Sequence, residues 1–538
     1  MFKPNAYQQR IFDWIKNGSG NAIVSATAGS GKTSTLTHAA HLIPQGEGLF
    51  LAFNNHICKE LKGRLGRSME ARTIHSIGLE ALKATGMKLE AQPNKGKYRD
   101  IVKSLLLKVA QRYKDLDVSP LKDPLLEIVR YAMLTMNPLE STRDFYQLTR
   151  AYQVEFPADQ DNLLRELAVA AMRYGERYVT EQGVYSFDDM VYLPAKWRLS
   201  PKRKYAWVFV DETQDLNAAQ MEVVSHAIAP EGRALFVGDR SQAIYGFAGA
   251  DHRSMDVIKD AFNAVEMPLS ICYRCPTSHI ALAKELDRSI EPAPMASEGI
   301  LGELPSGVPL HQYVRDGDLI LCRMNAPLIE KVFDLIRHGV PARVRGRDIA
   351  SGLMTLAETV WKKARAPYWT PEGFELALDA YLQSQKELIR RKSISLEDQD
   401  ALIAELADKI HALEVINEQA QPFSLEQLSQ RIGSLFSEDR EGVILSTIHK
   451  AKGLEADRVF IVAPEKLPLT TKTAVAAAAE RCIEFVALTR AKKALVFVGS
   501  YSRFLGKARK PLALLSDGEL GYAGDQPGKP VPVQGGLW

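Results

Sequence analysis

Ala26-Thr-Ala-Gly-Ser-Gly-Lys-Thr33 follows the short apolar run Ala22–Ser25 and opens a helical pattern. A buried-type strand that enters a glycine loop and then a helix is the setting of a phosphate-binding loop, where backbone N–H groups cradle an anion. Ala28, Gly29, Ser30, Gly31, Lys32 and Thr33 are therefore the expected nucleotide cradle. Lys32 is placed to reach the β and γ phosphates and Thr33 to put its hydroxyl on Mg²⁺. The second half of such a site is Val208-Phe-Val-Asp-Glu-Thr-Gln-Asp215, an apolar strand ending in acids. Asp211 is the expected metal-side carboxylate, and Glu212 the group that orients or deprotonates an attacking water.

Outward from this pair, short apolar runs alternate with helical patterns, which favours α/β architecture. Besides Ala22–Ser25, the candidate strands are Gly48–Phe53, Trp207–Val210, Ala234–Val237, Asp318–Leu321, Gly442–Ser446, Val459–Val462 and Leu495–Val498. Two stretches break the rhythm. About Leu79 to Tyr185 reads helical, with Val102, Leu105, Leu106 and Val109 on one face. About Asp348 to Glu438 holds cap-like starts at Ser395-Leu-Glu-Asp and Ser424-Leu-Glu-Gln and the stripe Leu402, Leu406, Ile410, Leu413.

The 538 residues suggest several domains at roughly 100–200 residues each. The chain is 46% hydrophobic and 25% charged, with 68 Lys and Arg against 65 Asp and Glu, a net charge of +3. That balance neither requires nor forbids nucleic acid, because local basic patches matter more than the sum. Five cysteines imply no disulfide framework and fit a reducing, cytoplasmic setting. Cys272 and Cys275 form a lone CxxC with no second ligand pair nearby for zinc. No signal-type leader and no membrane-length apolar run is evident. The tail after Lys510 is rich in Gly and Pro and reads as a loose extension.

The order of motifs resembles the UvrD/Rep family of superfamily 1 helicases. The residues that carry the resemblance are Val237-Gly-Asp-Arg-Ser-Gln-Ala-Ile-Tyr-Gly-Phe-Ala-Gly-Ala250, Leu269-Ser-Ile-Cys-Tyr-Arg-Cys-Pro276, Ser446-Thr-Ile-His-Lys-Ala-Lys-Gly-Leu-Glu455 and Phe485-Val-Ala-Leu-Thr-Arg-Ala491. They look like the third, tyrosine–arginine, fifth and sixth motifs of that family. The resemblance implies two RecA-like parallel-sheet domains, each with a mainly helical insertion. The corresponding division is 1–78, 79–185 (first insertion), 186–268, 269–347, 348–438 (short second insertion), 439–510 and the tail 511–538.

The resemblance also implies roles. Gln8 reads adenine, with Gln9 as the alternative one residue along. Tyr273 stacks on the base, Glu455 accepts from the ribose, and Gln242 senses the γ-phosphate. Arg274 and Arg490 approach it from the second α/β unit, across a cleft that ATP closes. Phe53, Asn54, Asn55, Thr73, His75, Tyr245, Phe247 and His449 match positions that contact single-stranded DNA in relatives. Trp361-Lys-Lys-Ala-Arg365 with Tyr368 and Trp369, and Arg503 to Lys510, are candidate additional phosphate contacts. Three departures stand out. The third-motif aromatic, usually Trp, is Phe247; the arginine that often follows is Ala248; and Ser34 stands where relatives commonly have an arginine.

The implied activity is ATP-dependent 3′→5′ movement on single-stranded DNA with duplex unwinding. The alternative is a translocase that displaces bound proteins and unwinds little. An RNA-directed motor is disfavoured by the Gln-x-Ile-Tyr-Gly-Phe signature. A simple nucleotide switch is disfavoured by the arginines in a second α/β unit. Implied partners are single-stranded DNA, single/double-strand junctions and replication or repair proteins, with no membrane and a monomeric chain in solution.

Overall fold

The structure, a computed structural model, describes residues 3–52, 55–65, 68–114, 116–152, 154, 156–157, 160–244, 254–366, 368–391, 396–436, 442–471 and 474–501. Phe53, Asn54, Tyr245, Phe247, Ser395, the stretch 503–510 and the tail lie outside the described residues, as does the side chain of Asn55. The chain forms two compact units that divide at Ile271 and Cys272.

The first unit is built on six parallel strands: β1 Ala22–Ala26, β2 Gly48–Ala52, β3 Met69–Thr73, β4 Tyr205–Val210, β5 Ile228–Gly238 and β6 Val265–Leu269. Their order is β3-β2-β4-β5-β1-β6. Alternation of side chains along each strand supplies two apolar faces. Ala22, Val24 and Ala26 join one core cluster with Phe50, Phe209 and Leu235. Ile23 joins the other with Leu49, Leu51, Val208 and Phe236. All strands run the same way, so all their carboxyl ends share one edge, where ligands bind in open α/β sheets.

The first helical insertion has a core of its own. Helices Lys97–Arg112, Lys122–Leu134, Thr142–Ala151 and Asp161–Gln182 enclose Val102, Leu125, Phe145, Leu164 and Ala168 among others. The helix Ile74–Ala84 runs continuously through residue 79, and the helix Asp189–Lys196 returns the chain toward β4.

A two-stranded ribbon, β7 Ile271–Cys272 with β8 Glu291–Pro292, precedes the second sheet. That sheet holds β9 Ile300–Leu304, β10 Leu319–Cys322, β11 Ala342–Arg345, β12 Val443–Thr447, β13 Ala456–Val462 and β14 Ala491–Val498, all parallel, in the order β11-β12-β10-β13-β14-β9. The chain thus has the two parallel-sheet domains that the motif order implies, each carrying helices between its strands.

The second insertion differs from the first in how it is held. Its helices Arg347–Ala364, Pro371–Arg390, Leu396–Ala420 and Leu425–Leu435 bury Leu353, Phe374, Ile410, Leu413 and Ile432 in the same cluster as Ile320, Leu445 and Val496 of the sheet. It is an extension of the domain core. Ser424 caps the last of these helices by accepting the Gln427 N–H. No helix among the described residues is long and apolar enough to cross a membrane.

Candidate functional site

The carboxyl edge of the first sheet gathers the expected phosphate site from three neighbouring strands. The glycine loop leaves β1, Asp211 and Glu212 leave β4, and Asp239 leaves β5. Gly29 and Gly31 sit at φ +66° and +78°, in the left-handed region that glycine alone enters at no steric cost. Gly31 is the N-cap of the helix Lys32–Ala40 and gives it no side-chain cap. The helix start thereby presents bare N–H groups and the positive end of its dipole. The Ser30 hydroxyl is buried with no hydrogen-bond partner. A loop of this build fits an anionic phosphate. The Thr33 hydroxyl and Asp211 carboxylate are hard oxygen donors of the type Mg²⁺ takes.

Polar contacts tie the loop to its neighbours. The Lys32 ammonium lies 3.4 Å from the Glu212 carboxylate. Glu212 itself is in the left-handed region at φ +52°, an unusual backbone for a non-glycine residue. Gln214 donates from Nε2 to the Glu212 carboxylate, and its Oε1 accepts the Asp239 N–H at 2.9 Å. Gln242 donates to Asp239 at 2.6 Å. A polar path therefore runs from Lys32, by an ion pair to Glu212, and then by hydrogen bonds through Gln214 and Asp239 to Gln242. Gln214 is a residue of this path that the motif reading passed over, although it lies inside the quoted acidic segment.

Gln8 is buried and donates to the Thr35 hydroxyl at 3.0 Å, while its Oε1 accepts the Asn5 N–H in a capping box. Gln9 is exposed and pairs with Asp13 one turn on. The two registers left open by sequence thus differ: Gln8 lies against the phosphate-loop helix and Gln9 faces solvent.

In the second unit the candidate residues separate to opposite edges of the sheet. Glu455 and Arg490 directly precede β13 and β14, whose first residues Ala456 and Ala491 are in register, so both stand at the amino edge. Arg274 joins them, donating to Glu455 at 2.6 Å and to the Thr489 carbonyl at 3.2 Å. Lys492 also pairs with Glu455, at 2.7 Å. Against burial, which raises it, these two cations hold the Glu455 carboxyl below its usual range. Tyr273 is 53% exposed beside this cluster. Arg490 is almost fully buried and donates to the Val486 and Leu454 carbonyls and the Thr489 hydroxyl. Cys272 and Cys275 flank Tyr273 and Arg274 as buried free thiols. The Cys275 N–H donates to the Cys272 sulfur at 3.4 Å. The thiol contact from Cys275 draws the Cys272 thiol down to about 7.

His449 follows β12 at the carboxyl edge, and Arg323 follows β10, its neighbour in the sheet. Arg323 pairs with Glu480 at 2.7 Å. Elsewhere in this unit His311, Asp334 and His338 bring three ligand-type atoms within 4.8 Å. The two imidazoles stack 3.7 Å apart at 5°. Their lone pairs lie in parallel planes and do not converge on one ion.

Thr73 closes β3 and His75 follows it, four strands from β1 on the same carboxyl edge, or roughly 19 Å at the usual strand spacing. Thr73 caps the helix Ile74–Ala84 by accepting the Ser76 N–H. His75 stacks on Phe187, with centroids 4.0 Å apart at 22°. Phe187 is 55% exposed, and with His75, Thr73, Arg72 and Lys202 it lines a cleft of about 830 Å³ within the first unit. Burial pushes the His75 imidazole down to about 4, so it is neutral near pH 7. Phe187 was missed by sequence reasoning; its one local signal is an aromatic ring set among the polar residues Ser186, Asp188 and Asp189. The turn is fixed from below. The buried Asp189 carboxylate takes the Lys97 ammonium at 2.6 Å, the Tyr98 hydroxyl at 2.8 Å and the Ser186 N–H at 2.6 Å.

Two family models and several curated proteins match parts of the chain. Residues 7–263 match the model of the UvrD/REP helicase N-terminal domain, and residues 442–498 that of the UvrD-like helicase C-terminal domain. The ATP-dependent DNA helicase Rep of Escherichia coli is 26% identical over 49% of this chain, and the match spans only 40% of that protein. The ATP-dependent DNA helicase UvrD2 of Mycobacterium tuberculosis is 25% identical over 95% of this chain and 81% of its own length. The ATP-dependent DNA helicase PcrA of Leuconostoc citreum is 24% identical over 50% of this chain and 37% of its own length.

Proposed function

Because the chain belongs to the UvrD/Rep family of helicases, we propose that it is an ATP-driven motor that moves 3′→5′ along single-stranded DNA and separates duplex ahead of it. The observation that carries this reading is the path of one ion pair and three hydrogen bonds from Lys32 to Gln242 along the carboxyl ends of β1, β4 and β5. A simple phosphate-binding protein needs the loop alone. A path that couples the lysine and acid to a glutamine beyond the next strand suits a site that reports phosphate release.

In this reading the uncapped helix start and Lys32 bind the β and γ phosphates. Thr33 and Asp211 would hold Mg²⁺, which would supply positive charge to offset that of the phosphates. Glu212 takes a proton from the attacking water, and Gln214 holds its carboxylate in place. Tyr273 stacks on the base, Gln8 reads its edge, and Arg274 and Arg490 offset charge that develops on the transferred phosphoryl group. His75 and Phe187 offer a stacked neutral pair on which a base can add.

The test is ATP turnover with and without single-stranded DNA, joined to strand displacement on 3′-tailed, 5′-tailed and blunt duplexes. Turnover stimulated by DNA with displacement of the 3′-tailed substrate alone is the expected result. Equal stimulation by RNA, or displacement from a 5′ tail, would overturn the substrate or the polarity. Stimulated turnover with no displacement would leave a translocase.

A further inference from the structure

The helix Asp161–Gln182 carries Arg165, Arg173 and Arg177 on one face, spread over about 18 Å at 1.5 Å per residue. All three line a groove of about 500 Å³, whose floor on that helix is Val169, Ala170 and Tyr174. Lys108, from the helix Lys97–Arg112, adds a fourth cation. Its ammonium lies 5.4 Å from the Tyr174 ring centre, and the Arg177 guanidinium 6.0 Å from the same ring. The tyrosine therefore serves as a post that gathers cations.

The arginines differ in how they are held. Arg165 is anchored, donating to the Leu139 and Glu140 carbonyls, while its Nε is buried with no partner. Arg177 pairs with Glu181 at 2.9 Å along the exposed helix surface. Arg173 is exposed and has no ion-pair partner among the described residues. The groove lining holds three arginines against one acid, Glu166, with Lys108 and Glu181 beside it. The chain as a whole is close to neutral, at +3 over 538 residues. This is a local concentration of guanidinium forks on a rigid helix.

We propose that this groove is a second nucleic-acid contact, on the first insertion, which grips phosphates without reading bases. The inference rests on the motor reading above. A line of like charges spread over several phosphate spacings matches a strand that carries one charge about every 3.4 Å. Guanidinium forks match phosphate oxygens. An acidic peptide would be the other polyanion. Among the described residues, Val169, Ala170 and Tyr174 are the only apolar ones that line the groove, few for anchoring the side chains of a peptide, so the observations favour the backbone of a nucleic acid.

The experiment uses the full chain and its R173E/R177E and R173A/R177A variants. Probes are a fluorescent oligo-dT strand, a 3′-tailed duplex and a poly-glutamate peptide, each titrated at several salt concentrations. R173E/R177E is expected to weaken nucleic-acid binding at least about tenfold. It should also flatten the salt slope by about 1–2, since each lost phosphate contact removes about 0.7–0.9. R173A/R177A should fall between. ATP turnover without DNA and thermal stability should be unchanged, because both side chains are on the surface. Wild-type affinity and slope in the alanine variant would overturn the groove as a nucleic-acid contact. Loss of poly-glutamate binding with nucleic-acid binding intact would assign it to an acidic partner. If the unaltered chain binds neither DNA probe, the motor reading fails along with it.

Discussion

The Lys32 ammonium stands 3.4 Å from the Glu212 carboxylate. The two residues thus partner each other across the loop where phosphate is proposed to bind, and each has a separate task. Lys32→Ala should lose nucleotide binding and turnover together, because a phosphate-binding charge is gone. Glu212→Gln should lose turnover while nucleotide still binds, and binding should be no weaker than in the parent, since Lys32 no longer has a competing anion. Nucleotide affinity and single-turnover hydrolysis separate the two. Parental hydrolysis by Glu212→Gln would remove this residue from the catalytic role.

Gly238 closes β5 directly beneath Gln214. A Cβ at this position would lie 2.6 Å from the Gln214 Oε1 and 3.0 Å from the Thr213 hydroxyl. Gly238→Ala should push Gln214 off the Asp239 N–H and so loosen its hold on Glu212. Overpacking of this kind costs about 1–3 kcal/mol. ATP turnover should fall by more than nucleotide affinity, because the phosphate loop on β1 is untouched. A variant that turns over normally would show that the Gln214 bridge is dispensable.

The eight strands legible as apolar runs are β1, β2, β4 and β5 of the first sheet and β10, β12, β13 and β14 of the second. Every one is internal to its sheet. The four missed strands of the two large sheets, β3, β6, β9 and β11, are their edges. Edge strands such as Met-Glu-Ala-Arg-Thr and Ala-Arg-Val-Arg keep polar residues because one side meets solvent, so they give no continuous apolar signal. Sequence also could not tell the two insertions apart. Leu402, Leu406, Ile410 and Leu413 look like any helix stripe, and only packing reveals that Ile410 and Leu413 share the core of the second sheet. The phosphate loop and acidic segment were legible because each function needs a fixed local spacing. Phe187 was not, since it meets His75 only through the return of a long insertion.

Lys97 and Asp189 form an ion pair with both side chains fully buried. Lys97→Met leaves the carboxylate without its cation and should cost about 3–5 kcal/mol of stability. Because Asp189 also holds the Ser186 N–H, the turn that presents Phe187 should loosen, and binding of single-stranded DNA should weaken even well below the melting temperature. Phe187→Ala is the control. It should weaken binding by a lost stack, about 1–3 kcal/mol, with little change in melting temperature because the ring is more than half exposed. Equal losses of stability in both variants would contradict the division of labour between presenter and platform.

Burial holds the imidazoles of His75 and His449 at about 4, below the value near 6.5 expected of the unfolded chain. Between those values the unfolded state binds protons that the native state refuses, so stability rises with pH there. The contribution of both groups is complete above about 6.5 and is lost as the pH falls toward 4. Melting temperature should therefore drop over that window, and less so in His75→Asn. NMR titration of the imidazole signals should show no protonation of either residue above pH 5. A His75 midpoint near 6.5 would mean that the stacked pair with Phe187 opens to solvent.

Arg490 is the residue for which two roles make opposite demands. As a group that offsets phosphate charge, it needs its guanidinium on the nucleotide. As found, the guanidinium donates to the Val486 and Leu454 carbonyls and the Thr489 hydroxyl. Arg490→Ala should lower DNA-stimulated turnover on the order of 10³-fold if it acts as arginine fingers do. The same change strands buried acceptors, at about 1–3 kcal/mol. Arg490→Lys separates the two effects. A lysine keeps the positive charge and one donor head but cannot span the three acceptors in the fork geometry of a guanidinium. A charge-offsetting role predicts that Arg490→Lys regains part of the turnover while its melting temperature stays close to that of Arg490→Ala. A purely structural role predicts that turnover follows stability in both variants. Melting temperature, nucleotide affinity and DNA-stimulated turnover measured on the same preparations decide between them. Normal turnover in a destabilised Arg490→Ala would leave Arg274, 2.6 Å from Glu455, as the arginine that acts on the phosphate.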